Sequence, residues 1–583
     1  MHPALGIAEI GSLICTELRL DGSPEATCGL AALARACRAL GEPALDALWF
    51  QQDTMVNLLK IPAGLLPAET RACSWEADIR FSRIPSHEDA LSMGKYARRI
   101  RELSFPDSAK PQLIVTDDAA AAYCAFAMLL LRLGPPPHNF CLFPNLRVLH
   151  WNFPAESCYT FLSFFATLRS SPRLHCLALR EYDSGMKEIL LALPTRTNLT
   201  TLSFDLYPRE YQSAAVPEEI SQLASSLHNI RVLCLVNPAI NGLDLIARLR
   251  YLEELTLKVD GPLVSSSNAG SMPLPFVTLR HLTLMLDDDG DAGFEEQYSA
   301  HKMDYAVDFL RNCNPLQLFS FELRIEHIVT SSLNEILAML VERVALPLQL
   351  ETVTVVLRQA FKRTFDPEVE DGTSLRSLFR FRNLCVLRIE LSWGVDLGDE
   401  LLRELAKAFP LLEILSLSYD SPYYDEDARQ DSDSPPRPKT SLVGLVWLAD
   451  WCRNLRELTI TMDFERPPFV HGVPPLPEWI LRGRARRPLK RLNTADSRIG
   501  DAPWLALWFL AATFGQLEEV RTLHVHEEGP LYQYQVPRTA YLEGLYEYGA
   551  VWQRVGELLP AAQAVFSGRI GETVSIEELR ETL

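Results

Sequence analysis

Leu252-Glu-Glu-Leu255-Thr-Leu257 and, one period later, Leu279-Arg-His-Leu282-Thr-Leu284 carry the same spacing of three leucines. In an extended chain, residues two apart share a face. Offsets +3 and +5 from the first leucine therefore point together into a core, and offsets +2, +4 and +6 point away. The same spacing precedes this pair at Leu146-Arg-Val-Leu149-His-Trp151, Leu174-His-Cys-Leu177-Ala-Leu179, Leu199-Thr-Thr-Leu202-Ser-Phe204 and Ile230-Arg-Val-Leu233-Cys-Leu235. It follows at Leu384, Leu412 and Leu455, with weaker copies beginning at Leu316 and Leu350 and degenerate ones at Leu489 and Leu517. An early copy stands at Ile100-Arg-Glu-Leu103-Ser-Phe105.

One such motif means nothing, but more than ten in order define a leucine-rich-repeat array. Its mean period of about 31 residues is longer than the usual ~20–29. The surplus has helical apolar spacing at Tyr159–Leu168, Glu218–Leu227, Tyr305–Leu310, Leu333–Val344 and Glu400–Phe409. A lone repeat cannot bury its apolar face, so the units must stack. The expected fold is α/β: a leucine-rich-repeat solenoid over residues 93–530, with parallel strands inside and helices outside. Residues 418–441 (SYDSPYYDEDARQDSDSPPRPKTS) read as a disordered acidic insert. Gly261–Pro275 reads as a neutral loop. Residues 531–583 lack the motif and place Trp552, Val555, Leu558 and Leu559 at helical spacing, as expected of a terminal cap.

The chain has 583 residues, 48 % of them apolar, and a formal charge of −19. A mainly disordered chain is excluded. A general nucleic-acid binder is disfavoured for want of basic surface, although a local basic patch remains compatible with that total. The 12 cysteines include no Cys-x-x-Cys pair, which favours small core residues over a disulfide framework or zinc cluster. Met-His-Pro-Ala-Leu opens no secretory signal pattern. The longest apolar run, Ala119–Leu131, has 13 residues, short of the ~20 that span a bilayer. A cytoplasmic or nuclear protein that binds no membrane is expected.

Residues 1–50 differ from the repeats. Ile7, Ile10, Leu13, Ile14 and Leu18 form one helical face. Leu30, Leu33, Ala34 and Cys37 form a second, and a third helix is expected after Pro43, carrying Leu45, Leu48 and Trp49. Residues 51–92 read as linker helices. The runs Leu5-x-Ile7-Ala-Glu9-Ile10-x-x-Leu13-Ile14, Leu30-x-x-Leu33-Ala-Arg-Ala-Cys37-Arg38 and Pro43-Ala-Leu45-x-x-Leu48-Trp49 resemble an F-box. With the repeats behind them, they are similar to fungal-type F-box and leucine-rich-repeat proteins. Three features depart from that pattern: Ala8 stands in place of the usual proline, Gly11 lies inside the first helix, and Leu40 stands where the family often has an aromatic. A mid-helix glycine costs about 0.5–1 kcal/mol relative to alanine.

The resemblance implies a non-catalytic substrate receptor of a cullin-based ubiquitin ligase. Its box would dock on a Skp-family adaptor through Leu5, Ile7, Ile10, Leu13, Ile14, Leu30, Leu33, Leu45 and Trp49, residues that equally suit an internal core. The repeats would hold a target protein, and no cofactor is implied. The alternative is a repeat scaffold whose box no longer binds the adaptor. For target binding the outward sheet positions Asn152, Arg180, Asp205, Lys258, Met285, Glu322, Arg388 and Glu390 are the candidates, since their charge is more varied than that of the small +4 row. His524-Val-His526 lacks an evident third metal ligand, and Asp287–Asp291 fails the calcium-loop spacing at Met285. The basic cluster Arg482–Arg491 reads as a solvated loop, with a nuclear-import signal or an acidic-partner site as the functional alternatives.

Overall fold

In the computed structural model the described residues are 8–36, 38–53, 56–65, 83, 86–104, 143–151, 173–179, 198–204, 226–236, 240–259, 274, 276–286, 305–313, 316–328, 333–359, 372–391, 395, 397–419, 438–464, 488–495, 497, 499, 503–522 and 540–567. The chain forms two compact units, Met1–Glu253 and Glu254–Leu583.

The first unit opens with α1 (Ala8–Asp21), α2 (Pro24–Ala36) and α3 (Arg38–Trp49). Cys15, Leu30 and Ala44 are their shared core, with Leu18, Leu33, Ala34, Ala47 and Leu48 packed against it. Two expectations change here. The third helix begins at Arg38 and carries Pro43 inside it. The lost hydrogen bond is offset by burial of Leu40 and Ala44 on its inner side. And α1 turns inward on Gly11, Cys15 and Leu18, not on Ile10, Leu13 and Ile14. Helix α1 comes close to α3 at Gly11, where a Cβ would lie 2.6 Å from Leu40 Cδ2 and the Leu40 side chain would have to shift.

The sheet begins earlier than expected, inside the span read as linker helices. Strand β1 (Gln51–Gln52) pairs in parallel with β2 (Glu102–Ser104). Two glutamines carry no apolar motif. The strand exists because the Phe50 carbonyl accepts from the Arg101 and Glu102 N–H groups at 2.9 and 3.0 Å. Between them lie α4 (Val56–Leu59) and α5 (His87–Ala97). Ser86 and Asp89 form a capping box on α5, and Arg83 grips Asp89 at 2.6 Å. The Arg83 hydrogen bond holds the Asp89 carboxyl far below the usual carboxylate range. Strands β3 (Val148–Trp151), β4 (Cys176–Leu179), β5 (Thr201–Phe204) and β6 (Val232–Val236) follow in parallel order, before α6 (Ile240–Ile246).

The second unit holds β7 (Glu254–Lys258), β8 (His281–Leu286), β9 (Ser320–Ile328), β10 (Thr352–Gln359), β11 (Val386–Leu391), β12 (Ile414–Tyr419), β13 (Glu457–Ile460), β14 (Arg491–Asn493) and β15 (Glu519–Arg521). Each pairs in parallel with the next. Crossovers include α7 (Leu333–Arg343), α8 (Asp399–Ala408), α9 (Leu442–Trp451) and α10 (Pro503–Thr513). Between β10 and β11 the crossover is a 3₁₀ helix, Thr373–Arg380. It starts at Gly372, whose φ of 71° suits glycine.

The leucines behave as their offsets require. Leu255, Leu257, Leu282, Leu284, Leu387, Ile389, Leu415 and Leu458 are all at most 1 % exposed, worth about 1.5–3 kcal/mol each relative to exposure. An α/β leucine-rich-repeat-like fold of parallel strands is thus present in each unit. One register differs from expectation. Ser320 pairs with His281, and Glu322 with Thr283, so that repeat starts at Leu318 and not Leu316. Both leucines are fully buried, and Leu316 instead makes a separate bridge to Val344.

The expected insert 418–441 is structured at both ends. Ser418 and Tyr419 complete β12. Thr440 and Ser441 are buried. Thr440 Oγ1 donates to the Leu397 carbonyl, and Ser441 donates to Asp399 from N at 2.8 Å and from Oγ at 2.7 Å. Asp399 also accepts from the Gly444 N–H at 3.1 Å, so a carboxylate of one crossover helix caps the next. Residues 420–437 lie outside the described set, as do Ala119–Leu131, Asp287–Asp291, His524, His526 and Arg482–Arg487.

The C-terminal helix α11 (Ala540–Phe566) packs on α10 and β15. It buries Trp552, Val555, Leu559 and Ala562. Trp552 Nε1 donates to the Ser497 carbonyl at 2.9 Å, and its ring meets Phe464 edge-on at 4.6 Å. Gln563 Nε2 donates to the Phe514 and Leu517 carbonyls at 2.9 and 3.0 Å, tying α11 to the turn that leads into β15.

Candidate interaction surfaces

Strand alternation leaves one face of each sheet outside the core. In the first unit the +4 positions Ser104, His150, Ala178, Ser203 and Cys234 lie in register across five strands. In the second, the row runs Thr256, Thr283, Glu322, Thr354, Arg388, Ser416, Thr459, Asn493 and Arg521. Beside it Lys258, Met285, Arg324, Val356 and Glu390 form the +6 row. Neighbouring strands are about 4.8 Å apart, so each row is a closely spaced line of side chains.

The register shift moves Glu322 from the +6 row to the +4 row and puts Arg324 in its former place. Arg324 Nε reaches Glu322 Oε1 at 2.5 Å across the two rows. Lys258, Met285, Arg388 and Glu390 occupy the expected rows and are all half-buried. Asn152, Arg180 and Asp205 lie outside the described residues. Toward β15 the face becomes an ion-pair lattice. Arg491 contacts Glu457, Arg521 meets Glu519 at 2.6 Å, and Lys490 meets Glu518 at 3.2 Å. Exposed pairs of this kind contribute about 0–1 kcal/mol each, so their main effect is to fix the pattern of charge offered to solvent.

The three-helix trio offers a second surface. On α1, Ile10 is half-buried, whereas Leu13, Ile14 and Leu20 are exposed, Leu13 at 60 % and Leu20 at 64 %. These positions span one side of the helix opposite Cys15. The other expected docking residues separate from them. Leu30 is 3 % exposed, in the trio's core, and Leu33 packs against that core. Leu45 is half-buried, and Trp49 packs on Tyr96 of α5 with ring centroids 5.1 Å apart. Leu5 and Ile7 lie outside the described residues.

The trio is tied to the sheet by charge. Arg99, its side chain only 9 % exposed, binds Glu42 at 2.5 Å and also Asp46, both on α3. The Arg99 hydrogen bond holds the Glu42 carboxyl below its ordinary range. Arg19 stacks over the Phe50 ring at 4.0 Å. Sequence periodicity did not find these ties, because their partners lie far apart in the chain, the Arg99 pairs by 53 and 57 residues.

Burial pushes the thiols of Cys313 and Cys452 up to about 12, which makes them packing residues. Among the described residues no three His, Cys, Asp or Glu side chains cluster as metal ligands would. No described helix is long and apolar enough to cross a membrane.

No family model matches the chain, and no curated protein matches it. Among solved structures, one similar chain is described as "Crystal structure of TLR13-ssRNA13 complex". It is 11 % identical, with 74 % of this chain and 71 % of that one covered at a TM-score of 0.23. At so low a score the two chains do not superpose, and the leucine-rich-repeat-like assignment rests on this chain's own strand ladder and buried leucines.

Proposed function

We propose that this chain is a repeat-based protein-interaction scaffold whose exposed sheet faces hold a partner polypeptide. The observation that carries it is the in-register outward face, mostly half-buried: lines of small and mixed-charge side chains, about 4.8 Å apart, on a parallel ladder. Such a face suits an extended surface contact. The finer reading adds the trio. Its resemblance to an F-box and the exposed Leu13, Ile14 and Leu20 of α1 support docking on a Skp-family adaptor. The chain would then be the non-catalytic substrate receptor of a cullin-based ubiquitin ligase. Its contribution would be proximity, holding a target near a reactive thioester.

Co-expression with a Skp-family adaptor tests the finer reading. Leu13→Asp with Ile14→Asp removes apolar contact at exposed positions, so folding is retained and adaptor capture falls more than tenfold, the scale of a lost interface anchor. If the wild-type full-length chain captures no adaptor at micromolar concentration, the ligase role fails and the scaffold stands without it.

A further inference from the structure

The turns that lead into the strands of the first unit are strongly basic in a chain whose total charge is −19. Arg98 and Arg101 precede β2, Arg147 precedes β3, Arg173 precedes β4, and Arg248 and Arg250 lie on the turn after α6. The backbone ladder stacks these turns. The Arg147 N–H donates to the Arg101 carbonyl at 2.7 Å, His175 to Arg147 at 3.0 Å, Thr200 to His175 at 2.9 Å, Arg231 to Thr200 at 2.8 Å and Glu253 to Arg231 at 2.8 Å.

Neutralisation along this edge is local. Glu42 and Asp46 engage Arg99, and Glu253 meets Arg231 at 3.4 Å. Arg173 donates to the neutral Asn145 at 2.9 Å. Arg98, Arg147, Arg173, Arg248 and Arg250 are exposed and Arg101 is half-buried. Among the described residues, Glu102 on β2 and Glu254, the residue after Glu253, are the other acids beside these turns. The equivalent turns of the second unit mix signs: Arg280, Arg382, Arg453, Arg456 and Lys490 alternate with Glu351, Glu413 and Glu518.

We propose that this strand-entry edge docks an acidic polypeptide segment rich in Asp or Glu. The cations are all arginine, whose guanidinium engages a carboxylate bidentately. Six stacked turns at about 4.8 Å span roughly 24 Å, the reach of about seven extended residues at ~3.3 Å each. Screening within about 8 Å at physiological salt hides the remaining acidic surface from a ligand seated on the edge. The same total charge disfavours the long polyanion of a nucleic acid, which would extend beyond the edge. This goes beyond the scaffold reading and is independent of adaptor docking.

The test is fluorescence anisotropy of a labelled octaglutamate peptide with the full-length protein at low and physiological salt. Saturable binding that weakens with salt is expected. Arg101→Gln with Arg147→Gln weakens it about tenfold, and Arg248→Gln with Arg250→Gln weakens it separately, each variant keeping the wild-type melting temperature. Arg453→Gln, on the second unit, leaves it unchanged. Undiminished binding in both edge variants overturns the proposal, as does equal weakening by Arg453→Gln. Tighter binding of an eight-nucleotide single strand than of the peptide replaces the acidic polypeptide with a nucleic acid.

Discussion

Trp552→Ala is the sharpest test of the terminal cap. The indole is 1 % exposed, meets Phe464 at 4.6 Å and donates to the Ser497 carbonyl at 2.9 Å. Truncating a buried tryptophan costs about 3–5 kcal/mol, including the cavity. Leaving the buried Ser497 carbonyl unpaired adds about 1 kcal/mol or more. Trp552→Phe keeps most of the apolar contact and removes the donor, isolating the second contribution. In a repeat ladder each turn is stabilised by its neighbours, so losing the cap frays the nearest turns first. Hydrogen exchange therefore rises at β13–β15 in Trp552→Ala and stays at the wild-type level at β7–β9. Denaturant unfolding gives the total. A loss under ~1 kcal/mol, or exchange rising uniformly through the second unit, would refute the capping role of α11.

Gly11→Val drives a side chain into Leu40, since even a Cβ there lies 2.6 Å from Cδ2. About 1–3 kcal/mol of overpacking is expected, read as lost near-ultraviolet signal and protease cleavage within residues 8–49; wild-type resistance would show that α1 need not approach α3. Asp399→Ala removes three hydrogen bonds to the start of α9. It should lower stability by about 1–3 kcal/mol, and denaturant unfolding unchanged from wild type would contradict the capping role. Cys313 and Cys452, with thiols pushed up to about 12, resist alkylation at pH 8 while exposed Cys28 reacts. Folded, these two thiols hold their protons more tightly than the unfolded chain, whose thiols titrate near ~8.5. Their contribution to stability is therefore complete below that value and lost as pH rises toward 12. A Cys452→Ser variant with the same alkaline melting profile as wild type would contradict it.

The repeat ladder was legible because its cause is local. The spacing in Leu252–Leu257 fixes which side chains turn inward, whatever lies far away. By the same logic the residues past the repeats are expected to cover the ladder's last apolar face. Where two local readings tied, tertiary contact decided. Leu316 and Leu318 share the two-residue alternation, so only pairing of Ser320 with His281 chose between them. Ile10 and Leu18 both fit an apolar stripe on α1, and packing of Cys15 and Leu18 in the core shared with α2 and α3 chose between them. Strand β1 had no apolar signal, because a backbone carbonyl at Phe50 made it.

The basic edge shows the same division. Arg98 with Arg101, Arg147, Arg173, and Arg248 with Arg250 stand on separate turns, and the sequence separates those turns by tens of positions. Sequence alone determined that the leucines would stack the chain, because burial of an apolar face is dictated residue by residue. Only the tertiary ladder decided which charges meet, because lateral hydrogen bonds between distant turns bring those guanidinium groups into one line.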